Sequence, residues 1–342
     1  MLSGLRWRVF SRARWRPLEC ACASSGIRDR MMRLPAEMLH RRPAAWSNLR
    51  GTASTAHKPP IFQDLFVRHT WVYAGATAVG FGISIASGSH VHLDLVGTGA
   101  FAVAALAGGV GSFASAALIF IWSSRLALFL FYRACLTGHD ARLDKMLSTV
   151  SGTATFWAFS FLWNVVCSLP HTLASVGTLQ PPWFRVVFTC LGISIFALGW
   201  IIECLADWQK WNFKNDVRNK SKFCDVGLWS VSQHPNYFGN LILWLGIYVL
   251  NMPLLIPPLG SASLLGNMLS ARPFCVAAAS PIFLLALFYG QASGSITDSK
   301  KLQDAKYGSD ASYKEYACTV PLLFPRPCAL ADELRKSVGW IE

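Results

Sequence analysis

Residues 95–132 read LVGTGAFAVAALAGGVGSFASAALIFIWSSRLALFLFY, and Arg125 is the one charged side chain among them. As a single helix rising about 1.5 Å per residue the run would extend about 57 Å, against a hydrocarbon core ~30 Å thick. The cluster Gly108-Gly109-Val110-Gly111 is the natural place for it to fold back, because glycine weakens a helix and admits the dihedrals of a turn. Two spans result, near 95–110 and 113–132. Working outward, similar apolar runs occur at Trp71–Ser87, Thr155–Pro170, Phe184–Ala206, Phe238–Ile256 and Phe274–Gln291. The expected fold is therefore all-α and integral to a membrane: a polytopic bundle of about six or seven transmembrane helices in a lipid bilayer.

Composition agrees. Hydrophobic residues make up 53% of the 342 and charged residues only 14%, against roughly 25% charged in soluble domains. The net charge of +13 is unevenly spread. Residues 1–60 carry eleven Arg and Lys58 against Glu19, Asp29 and Glu37, so +9 sits there and +4 on the rest. A nucleic-acid partner is not expected, since its basic stripe would belong on the folded body. An Arg- and Ser-rich, acid-poor segment resembles a transit peptide rather than a secretory signal. Residues 1–60 are accordingly read as a disordered leader and 61–342 as the multi-pass membrane domain. The expected site of residence is the endoplasmic reticulum or an organelle membrane, mitochondrial or plastid if the leader is a transit peptide.

Seven spans put the joins at 133–152 and 207–237 and the C-terminal tail on one face. Those joins hold Arg133, Arg142, Lys145, Lys210, Lys214, Arg218, Lys220 and Lys222, whereas the opposite joins at 171–183 and 257–273 hold only Arg272. The positive-inside rule makes the charged face cytoplasmic, or matrix or stroma. The leader conflicts with this parity: either it is removed or the first apolar run does not fully span. The ten Cys include no C-x-x-C and the eight His no H-E-x-x-H, so no metal site is expected.

Two polar segments reach the charged face. In Asp207-Trp208-Gln209-Lys210-Trp211-Asn212-Phe213-Lys214-Asn215-Asp216-Val217-Arg218 the residues Asp207, Lys210, Lys214 and Arg218 share one helical face. Such a face suits a phosphate-bearing ligand and equally a helix end contacting anionic lipid. In Gly227-Leu228-Trp229-Ser230-Val231-Ser232-Gln233-His234-Pro235-Asn236-Tyr237-Phe238-Gly239-Asn240, Pro235 holds His234 out of the helical region. His234, Asn236 and Tyr237 then stand at a helix entrance, where backbone N–H groups favour anions.

The string S-x-x-H-P-N-Y-F-G-x-x-x-x-W-x-G, from Ser230 to Gly246, resembles the signature of the steroid 5-alpha-reductase C-terminal-like membrane superfamily, and in particular its DUF1295 branch. The resemblance covers about residues 90–326. It includes Trp122-Ser123-Ser124-Arg125, Tyr132-Arg133, Trp163, Ser168-Leu169-Pro170, Asp207-Trp208-Gln209-Lys210, Lys306-Tyr307-Gly308, Tyr313, Tyr316 and Pro321. It implies a helical membrane enzyme that holds NADPH between its cytoplasmic-side loops and tail and reduces a carbon–carbon double bond of a lipid-soluble substrate. Carried over position by position, Asp207, Lys214, Asn236 and Tyr237 fall on cofactor-contacting positions. Lys300, Lys301 and Tyr307 fall where the tail would close over the cofactor. Lys210, Arg218 and His234 complete the expected cofactor-binding set. No G-x-G-x-x-G turn follows a strand, so a Rossmann site is not expected.

The chain also departs from the steroid reductases. Their carbonyl-polarising Tyr falls near Trp122, and an indole has one N–H donor but no proton to give up at useful pH. Asp94 is then a candidate acid or a helix N-cap. Arg125 costs about 2.5–3.5 kcal/mol facing lipid, so it is expected to point inward, toward Asp94 or a ligand phosphate. Asp94 and Arg125 are the expected catalytic pair. Membrane methyltransferases using S-adenosylmethionine share an H-P-x-Y-x-G turn, and a non-catalytic protein of the same fold is a third reading.

Overall fold

The computed structural model describes residues 61–89, 91–107, 113–138, 143–174, 180–257, 272–296 and 298–339. The leader and the Gly108–Gly111 turn lie outside them. Among the described residues all regular structure is helical: α1 (Ile61–Ser87), α2 (Leu93–Leu106), α3 (Phe113–Thr137), a short α4 (Asp144–Leu147), α5 (Val150–Ala174), α6 (Pro182–Asn215), α7 (Pro235–Leu255), α8 (Arg272–Ala277), α9 (Ala279–Ser293), α10 (Ser299–Tyr307), α11 (Ala311–Thr319) and α12 (Pro327–Gly339). The protein is a polytopic helical membrane bundle.

Among the described residues five helical segments are long and apolar enough to cross a bilayer: α3, α5, α6, α7 and α8–α9 together. That is fewer than the six or seven expected. The span expected at 95–110 is a helix of only 14 residues, ending at Leu106. α1 has the length but also carries Asp64, Arg68 and His69 in its first turns. It nevertheless runs antiparallel to α5 along its length. His69 lies beside His171 at one end, ring centroids 5.4 Å apart, and the Trp157 indole donates to Ser84 Oγ (3.0 Å) at the other. α5 itself continues through Pro170 to Ala174 rather than stopping at the proline.

α7 is the central helix, with 67% of its most apolar window buried against 22–28% for the other four spans. Val187, Leu191 and Leu198 of α6 and Ile282 and Leu285 of α9 are exposed, as expected of chains that meet hydrocarbon. The centre is aromatic: Phe101 packs within 5.0–5.4 Å of Trp163, Trp122 and Trp244.

α6 and α7 approach at backbone distance. Gly192 and Gly199 of α6 face Gly246 and Gly239 of α7 in antiparallel register. A Cβ on Gly246 would lie 2.5 Å from Phe196 N, and one on Gly239 2.6 Å from Glu203 N. Without a hydrophobic driving force between helices in lipid, small residues of this kind supply van der Waals contact. Gly246→Val should therefore lower stability by about 1–3 kcal/mol through forced separation of the pair. Gly97→Ala, inside α2 at a position with open space, should hold or slightly raise the thermal midpoint of the detergent-solubilised protein; equal loss in both would refute the packing argument.

Candidate functional site

The register set by the glycines brings polar side chains of α6 and α7 together inside the bundle. Glu203, 2% exposed, accepts from Asn240 Nδ2 (3.3 Å) and Trp122 Nε1 (3.1 Å). One turn on, Asp207 Oδ2 accepts from Arg125 Nη1 (2.8 Å) and Nη2 (3.1 Å), and Asn236 Nδ2 reaches Asp207 Oδ1 at 3.5 Å. Arg125 Nη1 also lies 3.5 Å from Glu203 Oε1. Arg125 thus points inward as expected, but its partners are Glu203 and Asp207 rather than Asp94. Asp94 stands in the first turn of α2. The N-cap is His92, so the capping role expected of Asp94 is not the observed one.

Two cavities flank this network. The inner one, about 580 Å³, lies among α2, α3, α5, α6, α7 and α9 and is walled largely by Phe156, Phe159, Trp163, Leu126, Leu287 and Phe288, with Asp94 and Glu203 at its edge. The outer one, about 480 Å³, lies between the ends of α3 and α6, the 223–237 segment and the tail helices. Arg133, Lys210, Lys214 and Lys306 line it, with Asp207 as its acid. Arg133, Thr137, Asp207, Asn236 and Tyr237 belong to both walls.

The turn between α6 and α7 is built to hold the tail. Gly227 takes φ +57°, a conformation that favours glycine, and Leu228 N donates to Gln209 Oε1 (2.9 Å). Trp229 Nε1 donates to the Ala206 carbonyl (2.9 Å), while Lys210 Nζ lies 3.9 Å above the Trp229 ring. Gln233 N donates to the Pro321 carbonyl (2.9 Å), Ser232 Oγ to Leu323 O (3.0 Å) and Tyr316 OH to Trp229 O (2.8 Å). The tail thereby becomes the outer wall. Lys214 Nζ donates to Tyr307 OH (3.0 Å) and to the Lys222 carbonyl.

His234 has φ −139° and ψ 62°, outside the helical region, as Pro235 requires. Its ring stacks on Tyr237 (5.1 Å, 9°), which stacks on Phe288 (4.9 Å, 16°), so three rings floor the junction of the cavities. Burial, with the charges of Lys210 and Lys300, pushes the imidazole down to about 3, so it is neutral at physiological pH.

Of the ten expected cofactor-binding residues, Asp207, Lys210, Lys214, His234, Asn236, Tyr237 and Tyr307 meet around the outer cavity. Three do not. Arg218 lies past the end of α6 in a 3-10 turn and pairs with Asp216 (2.6 Å) at the surface, so the cationic face stops at Lys214. Lys300 pairs with Asp304 (2.9 Å) and donates to Tyr313 OH (3.1 Å), and Lys301 pairs with Asp298 (2.9 Å); neither lines the cavity. The lysine there is Lys306. Glu203 and Asn240 were also absent from the expected set, although a single acid inside the run Phe184–Ala206, four residues before Asp207, is a visible signal. Among the described residues no group of three or more potential metal ligands occurs.

The fold and this paired-cavity arrangement define a multi-pass helical membrane protein with a polar site at one end of its bundle. Residues 80–320 match the model of the family DUF1295, described as a protein of unknown function, and the chain belongs to that family. No curated protein and no solved structure matches it significantly.

Two outcomes follow. Arg125→Leu leaves two neighbouring buried carboxylates without their shared cation, which should cost about 3–5 kcal/mol. Adding Asp207→Asn should restore part of the lost thermal stability, and no recovery would show that the pairing is not the cause. Between pH about 3 and 6.5 the unfolded chain binds a proton at His234 that the folded chain does not. The His234 contribution to stability is therefore whole above pH 6.5 and falls as pH drops toward 3. The thermal midpoint of His234→Asn should decline less steeply with acid than that of the wild type.

Proposed function

We propose that this protein is an NADPH-dependent membrane reductase acting on a carbon–carbon double bond of a lipid-soluble substrate. The observation that carries the reading is the pair of cavities sharing one wall at Asp207, Asn236 and Tyr237. One carries four cations and is covered by the tail; the other is sunk among the helices and sets Phe156, Phe159, Trp163 and Phe288 beside Asp94, Glu203 and Asn240. A phosphate-rich ligand held in the first and an apolar one held in the second would meet only there.

The residues present fit such a cofactor. Arg133, Lys210, Lys214 and Lys306 face a cavity with one carboxylate, and Phe223, Tyr307, Tyr313 and Tyr316 form an aromatic wall within 5.1–6.2 Å of one another. A bound dihydronicotinamide supplies hydride chemistry; the protein supplies orientation, electrostatics and a dry site. Asn236 and Tyr237 would position the ring at the shared wall, Trp163 and Phe288 would exclude water from the inner cavity, and Asp94 and Glu203 are the acids at its edge. The steroid 5-alpha-reductase-like string from Ser230 to Gly246 supports the same class, because it contributes Asn236 and Tyr237 to the shared wall.

Titration of the solubilised protein with NADPH and with S-adenosylmethionine, followed by nicotinamide fluorescence and thermal shift, tests this. NADPH should bind, and Lys214→Ala and Asn236→Ala should each weaken it about tenfold or more, the loss of one hydrogen bond to a charged or buried group. Binding of S-adenosylmethionine with indifference to NADPH would overturn the reading in favour of a methyltransferase.

A further inference from the structure

Asn240 stands one turn further along α7 than Asn236 and lines the inner cavity but not the outer one. Glu203 fixes which way its amide faces. That carboxylate accepts from Asn240 Nδ2 (3.3 Å) and Trp122 Nε1 (3.1 Å), with Arg125 Nη1 3.5 Å from its other oxygen. A carboxylate in such company only accepts, so the amide cannot turn round without setting oxygen against oxygen. Asn240 is 6% exposed, and its Oδ1 is buried with no hydrogen bond among the described residues. Asn236 repeats the pattern one turn earlier: its Nδ2 reaches Asp207 Oδ1, and its own Oδ1 is buried without a partner. Buried amide oxygens are seldom left unmet, because their lost hydration is then uncompensated.

The residues of α7 that wall the inner cavity thus carry two preset acceptors, and only a ligand that donates can satisfy them. The steroid reductases meet a carbonyl oxygen with a donor, but here Trp122 stands near the position of their Tyr, and its N–H is taken by Glu203. A ketone or aldehyde oxygen could meet the Trp163 indole, whose Nε1 is buried without a partner, or Arg133 and Tyr237 at the shared wall. It could meet neither amide oxygen. A hydroxyl donates as well as accepts. We infer that Asn240 is a specificity-determining residue for a lipid alcohol: its Oδ1 accepts a hydrogen bond from the hydroxyl of an unsaturated lipid, whose apolar body lies along Phe156, Phe159 and Phe288. The cavity of about 580 Å³ is within the range of small-molecule sites. This rests on the reading of the inner cavity as the substrate site and adds the chemical class of the substrate.

The test uses the full-length chain in nanodiscs and matched probes, each set an alcohol, its carbonyl counterpart and its methyl ether. The sets are farnesol, farnesal and farnesyl methyl ether; retinol, retinal and retinyl methyl ether; and cholesterol, cholestenone and cholesteryl methyl ether. Affinity is read from the dependence of the thermal midpoint on probe concentration, relative to partition into empty nanodiscs. In at least one set the alcohol should bind about tenfold more tightly than both the carbonyl compound and the ether, as a hydrogen bond to an otherwise unmet buried group provides. Asn240→Leu should abolish that preference and keep ether binding within about twofold, the retained ether binding showing that the variant is folded. The same substitution combined with Glu203→Gln, which relieves the carboxylate that loses a donor, gives the comparison should the single variant not fold. Absence of an alcohol preference in all three sets, absence of binding included, overturns the inference; so does a preference that survives Asn240→Leu. NADPH titrated in parallel keeps the two readings apart. NADPH binding without an alcohol preference leaves the reductase standing and removes the alcohol site, whereas an alcohol preference without NADPH binding does the reverse.

Discussion

The close approach of α6 and α7 governs what the bundle can do. Gly192 and Gly199 on one helix, and Gly239 and Gly246 on the other, are each seven residues apart. Two contacts two turns apart fix separation and register together. With the backbones in contact, short side chains suffice to bridge them: Glu203 to Asn240 and Asp207 to Asn236. A separation larger by a methyl group would leave an amide and a carboxylate facing each other without a bond inside a bilayer, where an unmet polar group costs several kcal/mol. The glycines are thus a condition for the polar network, and the network is a condition for the site.

Arg125 ties a third helix into this pair. Its guanidinium spans two carboxylates one turn apart and also donates to Cys204 Sγ at 3.1 Å. Arginine suits the position because its planar fork serves two acceptors while its charge stays fixed. The arrangement has an internal logic for a membrane. An unpaired acid on α6 or an unpaired base on α3 would oppose insertion, whereas the assembled cluster has its charges opposed and hydrogen-bonded. Asp207 of this cluster lines both cavities, so the contact that holds α3 to α6 ends on the wall they share.

How much of this was legible in the chain depended on the kind of signal. Apolar runs of about 20 residues announced the spans, because the bilayer imposes its length on them. Lysines and arginines confined to alternate joins announced that the 207–237 segment and the tail emerge on one face, and Lys214 donating to Tyr307 OH at 3.0 Å agrees with that. Pairing partners were not legible. Arg125 was open to Asp94 or a ligand phosphate, but the residue it meets, Asp207, lies 82 positions away on α6. Helix α2 is shorter than its apolar run suggested. Arg218 fits the spacing of a cationic face, yet the helix ends at Asn215, and Asp216 claims it within two residues. Periodicity describes a face only for as long as the helix lasts.

The cations on the charged face serve two purposes that composition cannot separate. Lysine and arginine in these joins orient the chain in its membrane whichever way their side chains point. Arg218, Lys220 and Lys301 are exposed and can do that alone. Arg133, Lys210 and Lys214 do it half-buried around a common cavity, which the exposed Lys306 also borders. Their like charges repel, and Asp207 is the one carboxylate that lines this cavity. The Asp207 carboxylate is already engaged by Arg125. The tail sharpens the point: Gln233, Ser232 and Tyr316 anchor it through main-chain groups, independently of charge. The tail's hold on the turn before α7 therefore does not use the charge of the cations it covers.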